Sequence, residues 1–430
     1  MKKIILLLFF SRILIYAQSG TTWTEQNSGV TVQLTSVSVA GFNIAWICGY
    51  NGTVLKTTNA GTNWINVSGN GISSTVLLIN IFGIDANNAL TAGYLGSNTF
   101  VYRTTNSGIN WNQVFFQANG FINAVWMVSS NNGFMQGDPV GGRWSLWKTA
   151  NSGLNWDSTG LYLPQAGSEA GWNNSLYISS PPNRIWFGTN NSRIYYSSNY
   201  GNNWIIQSTS PEVNSYAITS DNFSNAFAGG VSLLKTTNSG NNWAVISSMG
   251  TGNFGGITWN NLISGNNFFL RTWYVRSDNR IFFSSNEGNT WISDYTAPSG
   301  TYRHINNNRA SSFYIWAVRN NGGISRGLVD IGGGINIISN EIPVSFTLSQ
   351  NYPNPFNPVT KFRFSVPKKS LVKLMVYNSL GNEIENLLSE VLPPAVYEAT
   401  WDASKYSSGV YFYRLEAKDF IQTKKMILIK

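Results

Sequence analysis

The octapeptide TTNAGTNW at residues 57–64 decides the fold, because closely similar octapeptides recur along the chain. The further copies are TTNSGINW (104–111), TANSGLNW (149–156), SSNYGNNW (197–204), TTNSGNNW (236–243) and SSNEGNTW (284–291). Their tryptophans follow one another at intervals of 47, 45, 48, 39 and 48 residues, a length that fits one small four-stranded sheet with its turns. The spacing therefore predicts a series of similar β-sheets in a repeat architecture.

Each copy has the chemistry of a tight turn, and an apolar strand such as TVLKTT or FVYRTT precedes it. The asparagine can accept a hydrogen bond from the backbone N–H two residues further on, and the glycine can adopt a positive φ without steric cost. We expect the tryptophan to fold back beneath the turn. These structural repeat residues are Asn59, Gly61, Trp64, Asn106, Gly108, Trp111, Asn151, Gly153, Trp156, Asn199, Gly201, Trp204, Asn238, Gly240, Trp243, Asn286, Gly288 and Trp291.

The octapeptides resemble the S/T-x-D-x-G-x-x-W signature of Asp-box (BNR-like) β-propellers, such as sialidases, the sortilin ectodomain and the photosystem II stability/assembly factor-like family. Asparagine stands at the aspartate position in all six copies, so the repeats offer no ring of carboxylates or metal ligands. The resemblance implies that these turns are fold elements at the periphery of each blade, remote from the ligand face.

The two ends of the repeat region complement each other. Residues 312–330 continue the strand pattern without a further octapeptide, whereas TTWTEQNSG (21–29) carries a tryptophan and a polar stretch without a preceding strand. We therefore predict a seven-bladed propeller over residues 18–335, closed by an N-terminal strand around Trp23 that pairs with strands from residues 310–330. Such closure removes exposed sheet edges.

A second, smaller domain is predicted after the repeats. Residues 336–345 read as a linker, because the Gly-rich segment 331–343 ends in proline. Residues 346–430 then show short alternating strands, as in 361–366 and 371–377, which predicts an immunoglobulin-like β-sandwich. The whole chain is thus expected to be all-β.

This C-terminal module resembles the type A C-terminal sorting domain of the type IX secretion system of Bacteroidetes. The resemblance rests on QNYPNPFNPVT (350–360), VKLMVYNSLG (372–381), SSGVYFYRLEA (407–417) and the terminal KKMILIK (424–430). It implies export through the periplasm and the outer membrane, recognition of residues 346–430 by the secretion machinery, and a final location outside the cell or on its surface. An ordinary immunoglobulin-like appendage for adhesion is the alternative interpretation.

The N-terminus and the charge distribution fit an exported protein. Residues 1–17 combine Lys2 and Lys3 with an apolar stretch, which predicts a signal peptide, although Arg12 interrupts that stretch. The net charge of +9 divides into +3 for residues 1–17, +2 for 18–345 and +4 for 346–430. Because the basic residues of the propeller are spread singly, we expect no nucleic-acid partner.

The composition also limits the chemistry. Cys48 is the single cysteine and His304 the single histidine, so disulfides, multi-thiolate or multi-histidine metal sites and Ser-His-Asp catalysis are not expected. We expect Cys48 to be a small buried strand residue. No segment after residue 17 approaches 18 consecutive apolar residues, so no transmembrane helix is predicted. No metal or cofactor is predicted.

The segments that depart from the repeat are the candidate binding sites. They are QGDPVGGRWSLW (136–147), LPQAGSEAGWNN (163–174) and, more weakly, TYRHINNNR (301–309). A tryptophan beside amides and a carboxylate is a sugar-stacking combination, and it is also found in ordinary loops. The candidate ligand-binding residues are Asp138, Arg143, Trp144, Glu169, Trp172, Asn173 and His304.

Two classes of function remain open. The first is a secreted, monomeric, non-catalytic propeller that binds a glycan or a surface protein. The second is a secreted glycoside hydrolase of the sialidase or xyloglucanase-like Asp-box type, which requires two facing carboxylates. The Arg-Ile-Pro motif of sialidases is absent near the N-terminus and only one propeller fits the chain. We therefore favour binding, and predict no catalytic residue.

Overall fold

The computed structural model describes residues 21–41, 43–179, 184–221, 224–260, 271–307, 314–329, 335–339 and 342–430. Every regular element in these ranges is a β-strand, which confirms the predicted all-β class. No helix in the described ranges has the length and apolarity needed to cross a membrane. The predicted signal peptide, residues 1–17, lies outside the described residues.

The strands of the repeat region are short and follow one another closely. The first are β1 (Thr21–Gln26), β2 (Leu34–Val39), β3 (Ala45–Gly49), β4 (Val54–Thr57), β5 (Ile65–Asn66), β6 (Leu77–Gly83), β7 (Ala89–Leu95), β8 (Asn98–Thr104), β9 (Asn112–Gln117), β10 (Ile122–Met127), β11 (Gly133–Val140) and β12 (Arg143–Thr149). They are followed by β13 (Gly171–Ile178), β14 (Ile185–Thr189), β15 (Arg193–Ser197), β16 (Ile205–Ser208), β17 (Ala217–Ser220), β18 (Ala226–Gly229), β19 (Leu233–Thr236), β20 (Ala244–Ile246), β21 (Phe254–Asn260), β22 (Arg271–Arg276), β23 (Arg280–Ser284), β24 (Ile292–Thr296), β25 (Tyr302–Asn307), β26 (Tyr314–Arg319) and β27 (Ile324–Val329).

Within the described ranges these strands form seven antiparallel sheets. Sheets 1 to 6 are, in order, β2–β5, β6–β9, β10–β12, β13–β16, β17–β20 and β21–β24, and sheet 7 has the order β1-β27-β26-β25. The first strand of each sheet packs against the first strand of the next, and β25 packs back against β2. The sheets therefore form a closed ring around a central axis, which is the propeller fold.

The N-terminal strand closes this ring as predicted. β1 pairs with β27, with Trp23 opposite Gly327 and Glu25 opposite Ser325. Sheet 7 is thus completed by residues from both ends of the repeat region, so unfolding of β1 would expose β27 as a new sheet edge.

The six octapeptide turns share one hydrogen-bond pattern, illustrated by the copy at 57–64. The Thr57 hydroxyl accepts a hydrogen bond from the Gly61 N–H at 2.9 Å, and the Asn59 Oδ1 accepts one from the Asn63 N–H at 3.0 Å. The turn glycines have φ between 79° and 85°, as expected. The predicted partner of the asparagine is wrong: it binds the N–H four residues on, because the hydroxyl already occupies the N–H two residues on.

The turn tryptophans pack against the preceding sheet. Trp64 meets Trp316 of sheet 7 edge-on, with ring centroids 5.3 Å apart, and Trp111 meets Trp46 of sheet 1 at 6.1 Å. Because such aromatic contacts bury large apolar areas, each tryptophan joins two sheets rather than only filling the space under its own turn.

Two of the basic residues that precede an octapeptide bond to the backbone of the next sheet's turn. Arg103 of β8 donates from Nε to the Ser152 carbonyl at 2.8 Å, and Lys235 of β19 donates from Nζ to the Glu287 carbonyl at 2.8 Å. These carbonyls occupy the same position in their octapeptides. Arg103 and Lys235 therefore serve as contacts between neighbouring sheets.

The C-terminal module is a sandwich of two four-stranded antiparallel sheets. Its strands are β28 (Ile335–Ser339), β29 (Thr347–Leu348), β30 (Val359–Val366), β31 (Ser370–Tyr377), β32 (Glu383–Leu392), β33 (Ala395–Asp402), β34 (Gly409–Ala417) and β35 (Phe420–Leu428). The sheets β28-β33-β30-β29 and β32-β31-β34-β35 share one core, with Phe364 and Trp401 from one and Leu374 and Tyr413 from the other.

The linker predicted for residues 336–345 differs from the structure. β28 lies largely inside that range and pairs with β33, adding an edge strand to the sandwich. The isoleucines of INIIS favour a strand, and β33 offers a free edge for it.

Candidate functional site

The propeller has two distinct faces. The octapeptide turns follow the third strand of their sheets, which runs parallel to the first, so they lie where the innermost strands end. We call this side the turn face and the opposite side the start face. The candidate segments 136–147 and 163–174 reach the start face, because β11 ends there and β12 and β13 begin there.

These two segments meet at the contact between sheets 3 and 4. The Asp138 Oδ1 accepts hydrogen bonds from the Gly171 N–H at 2.8 Å and from the Asn123 Nδ2 at 2.7 Å. The Trp144 Nε1 donates to the Glu169 Oε1 at 3.1 Å. The structure therefore brings the two candidate segments together through hydrogen bonds between residues up to 33 positions apart.

Glu169 and Trp144 are buried in this contact rather than exposed to a ligand. Glu169 is 2% exposed, and its Oε1 also accepts hydrogen bonds from the Tyr195 hydroxyl at 2.5 Å and the Ala166 N–H at 3.0 Å. Trp144 is 2% exposed and packs on Phe187 with centroids 4.8 Å apart. Direct stacking of a sugar on Trp144, which the sequence suggested, does not fit this placement. Glu169 and Trp144 are instead part of the packed contact between sheets 3 and 4.

Asp138 is half-buried, and burial raises the pKa of its carboxyl although the bonds from Asn123 and Gly171 lower it. A carboxylate with a raised pKa beside a surface loop is a feature of functional sites and also of structural networks. Its position on β11, held by two donors, makes it a rigid group at the edge of the start face.

Trp172, Asn173 and Arg143 are the candidates that remain accessible. Trp172 is half-buried and its ring packs on Tyr216 with centroids 4.3 Å apart, while Asn173 and Arg143 are exposed. Sequence reasoning missed Tyr216, because it lies at the start of sheet 5 within a regular repeat. Its proximity to Trp172 depends on the packing of sheet 4 against sheet 5.

His304 does not join this cluster. It lies on β25 of sheet 7, is 8% exposed, and its Nδ1 accepts a hydrogen bond from the Val37 N–H of sheet 1 at 3.1 Å. The imidazole therefore links the first and last sheets and lines the central channel.

A central cavity of about 670 Å³ lies within the described part of the propeller. It runs along the axis between the innermost strands, from Asn174 and His304 toward Asp85, Ser129 and Ser130. Sequence reasoning did not identify it, because apart from Asn174 and His304 its lining residues lie at ordinary repeat positions that become neighbours only when the ring closes.

The described residues contain no group of three or more His, Cys, Asp or Glu side chains that could hold a metal ion.

The C-terminal residues match a known family. Residues 350–430 match the model of the secretion system C-terminal sorting domain, which confirms the resemblance to a type IX sorting tail. The protein is therefore exported to the cell surface or the extracellular space. No curated protein matches the chain.

Solved structures share the propeller fold. YCF48, a photosystem II assembly factor, bound to a D1 peptide is 15% identical with a TM-score of 0.56, covering 72% of this chain and 97% of that one. YCF48 from Cyanidioschyzon merolae is 15% identical with a TM-score of 0.55, covering 71% and 98%. PorZ, an essential bacterial surface component of the type IX secretion system of Porphyromonas gingivalis, is 11% identical with a TM-score of 0.52, covering 92% of this chain and 59% of PorZ. At these identities the likeness shows the fold alone.

Proposed function

We propose that this exported protein is a non-catalytic binding protein whose propeller holds a glycan on the start face, around Trp172. The observation that carries the proposal is the partly exposed Trp172 ring, fixed against Tyr216 at 4.3 Å and adjacent to the exposed Asn173 amide. An aromatic face supplies stacking area for a sugar ring, and amide and guanidinium groups supply oriented hydrogen bonds to its hydroxyls.

The rigidity of the support favours such a role. The Gly171 N–H bond to Asp138 fixes the start of β13 directly before Trp172, and Glu169 is held by donors from three further groups. Pre-organised groups bind with less loss of conformational entropy. Asn173 and Arg143 then project from fixed backbone into solvent.

The carboxylates support binding rather than hydrolysis. Glycosidases need two carboxyl groups on either side of the scissile bond. The Glu169 side chain has 0% exposure and its Oε1 already accepts three hydrogen bonds, so it has no access to a glycosidic oxygen. Asp138 is then the only other carboxylate of segments 136–147 and 163–174.

The experiment is a binding and hydrolysis screen of the full exported chain on a glycan array. We expect saturable retention of at least one glycan without release of reducing ends, and a loss of about tenfold or more in affinity in Trp172→Ala. Phe116→Ala is the matched control, because Phe116 is 50% exposed on β9 at the outer edge of sheet 2.

Unchanged affinity of Trp172→Ala would place the ligand elsewhere. Release of reducing sugar by the parent protein would instead support the glycoside hydrolase, and Asp138→Asn would then show whether its carboxyl is involved.

A further inference from the structure

We propose that the central cavity is a second binding site, separate from the Trp172 site, which takes an uncharged saccharide from the turn face. Its volume of about 670 Å³ lies within the usual range of small-molecule sites. The closed end of the cavity, its aromatic wall and its low charge support this assignment.

Asn174 closes the cavity toward the start face. Its Oδ1 accepts hydrogen bonds from the Ser36 hydroxyl and the Asn80 Nδ2, both at 2.9 Å. Ser36 lies on sheet 1 and Asn174 on sheet 4, three steps away in a ring of seven sheets. Side chains so placed meet only across the axis, so the Asn174 carboxamide spans the channel.

The backbone of Asn174 is strained to achieve this. Its φ is +64°, and it lies where the pairing register of β13 shifts between Gly171 and Leu176. This left-handed conformation, which is unusual for a non-glycine residue, persists because the Asn174 side chain is bonded to two other sheets. The cavity is therefore separated from the Trp172 site at its start-face end, and its other described end lies toward Asp85 and Ser129 on the turn face.

An aromatic wall lines the half of the cavity nearest the turn face. The ring of Trp126 lies 5.9 Å from Phe82 and 5.5 Å from Tyr177, measured between centroids. These residues come from the last parts of β6, β10 and β13, and Phe82 and Trp126 are partly exposed. Partly exposed rings inside a concave site are suited to stacking on the apolar face of a flat ring.

Polar groups line the cavity around this wall. Ser38 accepts a hydrogen bond from the Gly83 N–H at 3.0 Å, which leaves its hydroxyl proton to donate. Asn306 is half-buried in the lining. Hydroxyl and amide groups combined with aromatic rings match a molecule that has both an apolar face and hydroxyl groups, which is the chemistry of a saccharide.

The described lining carries little charge. Asp85 is its one carboxylate, and the N–H groups of Asn87 and Asn88 bind that carboxylate at 2.7 and 2.8 Å. The described lining contains no lysine or arginine, so an anionic ligand would lack a counter-charge there and would face Asp85 at the entrance. This favours neutral saccharides over acidic ones.

The test titrates the full exported chain with neutral hexasaccharides, β-1,4-glucan, α-1,4-glucan and β-1,4-mannan, and follows tryptophan fluorescence. We expect at least one to give saturable binding that the exposed-surface variant Phe116→Ala leaves unchanged. Trp126→Ala should weaken it about tenfold or more. Because Trp126→Ala removes core contacts, Asn306→Trp is the second variant: it fills the cavity without removing an aromatic contact and should abolish the signal.

Three results would overturn the proposal. The first is the absence of saturable binding by any of the three sugars at concentrations up to about 10 mM, which would put every dissociation constant above the millimolar range. The second is binding that Asn306→Trp leaves intact. The third is binding that only Trp172→Ala abolishes, which would support the start-face site alone.

Discussion

Arg326 donates a hydrogen bond from Nη1 to the carbonyl oxygen of Ala60 at 2.7 Å, joining the last sheet of the ring to the first octapeptide turn. Lys235 makes the same contact with the Glu287 carbonyl between sheets 5 and 6. Arg326 occupies the position that precedes an octapeptide in other sheets, although no octapeptide follows it in sheet 7. Its hydrogen bond to Ala60 therefore joins the two ends of the ring.

Replacing Arg326 tests this contact. Arg326→Met keeps much of the side-chain length and removes the donor, and we expect it to lower the free energy of unfolding by about 2 kcal/mol, typical for hydrogen bonds from charged groups. Arg326→Lys is the matched control, because lysine serves at the equivalent position 235. Urea denaturation measures both; equal losses in the two variants would contradict the role of the hydrogen bond.

The ion pair between Glu25 and Arg319 predicts a pH dependence of ring closure. Burial would raise the pKa of Glu25, but hydrogen bonds from Arg319 and Ser325 lower it below its ordinary value of 4.5. The stability from this carboxylate is then fully present above about pH 4.5 and is lost as the pH falls through the lowered pKa of the folded protein.

We expect Glu25→Gln to cost about 3 kcal/mol at pH 7, because the Arg319 side chain is 3% exposed and would lose its partner. The difference from the parent protein should shrink as the pH is lowered below 4.5. Glu383→Gln, on an exposed position of the C-terminal module, is the control. A difference that stays constant from pH 7 to acid pH would exclude the carboxylate as its source.

The asparagines of the octapeptides should tolerate aspartate. The Asn151 Oδ1 accepts hydrogen bonds from the Thr149 hydroxyl and the Asn155 N–H, both at 3.0 Å, and a carboxylate offers the same acceptor. We expect Asn151→Asp to change the free energy of unfolding by less than about 0.5 kcal/mol and Asn151→Ala to lower it by about 1 to 2 kcal/mol. Equal losses of unfolding free energy in Asn151→Asp and Asn151→Ala would mean that the amide nitrogen of Asn151 contributes to stability.

The sequence predicted the features that depend on local chemistry and spacing. The octapeptide intervals indicated the ring, and the unmatched fragment around Trp23 indicated its closure by β1. The predicted hydrogen-bond donor to Asn59 was wrong, because hydroxyl and amide oxygens compete for neighbouring N–H groups. The local sequence does not show which acceptor binds which N–H group. The position of Asn174 across the axis could not be predicted, since it depends on which sheets face each other in the closed ring.

Cys48 should be inert toward thiol reagents until the propeller unfolds. It is fully buried on β3, and burial raises the pKa of its thiol to about 12. At pH 8 this lowers the thiolate fraction roughly a thousandfold relative to an exposed cysteine. Labelling with a thiol reagent should therefore follow the urea unfolding curve. Rapid labelling in native buffer would show that sheet 1 opens locally.

Asp138→Asn should separate stability from binding at the start face. Burial raises the pKa of Asp138 above its ordinary value of 3.8, so the ionised carboxyl destabilises the folded protein. That cost is absent below pH 3.8 and grows as the pH rises through the raised pKa of the folded state. Asparagine keeps an acceptor for Asn123 and Gly171 without the charge, so we expect the variant to be more stable at pH 7, with the advantage vanishing in acid.

If the carboxylate contacts the ligand, the same variant should lose affinity on the glycan array, a gain in stability with a loss of function. Unchanged affinity with increased stability would assign Asp138 to the support of β13 alone, and decreased stability would show that the ionised form is required by the fold.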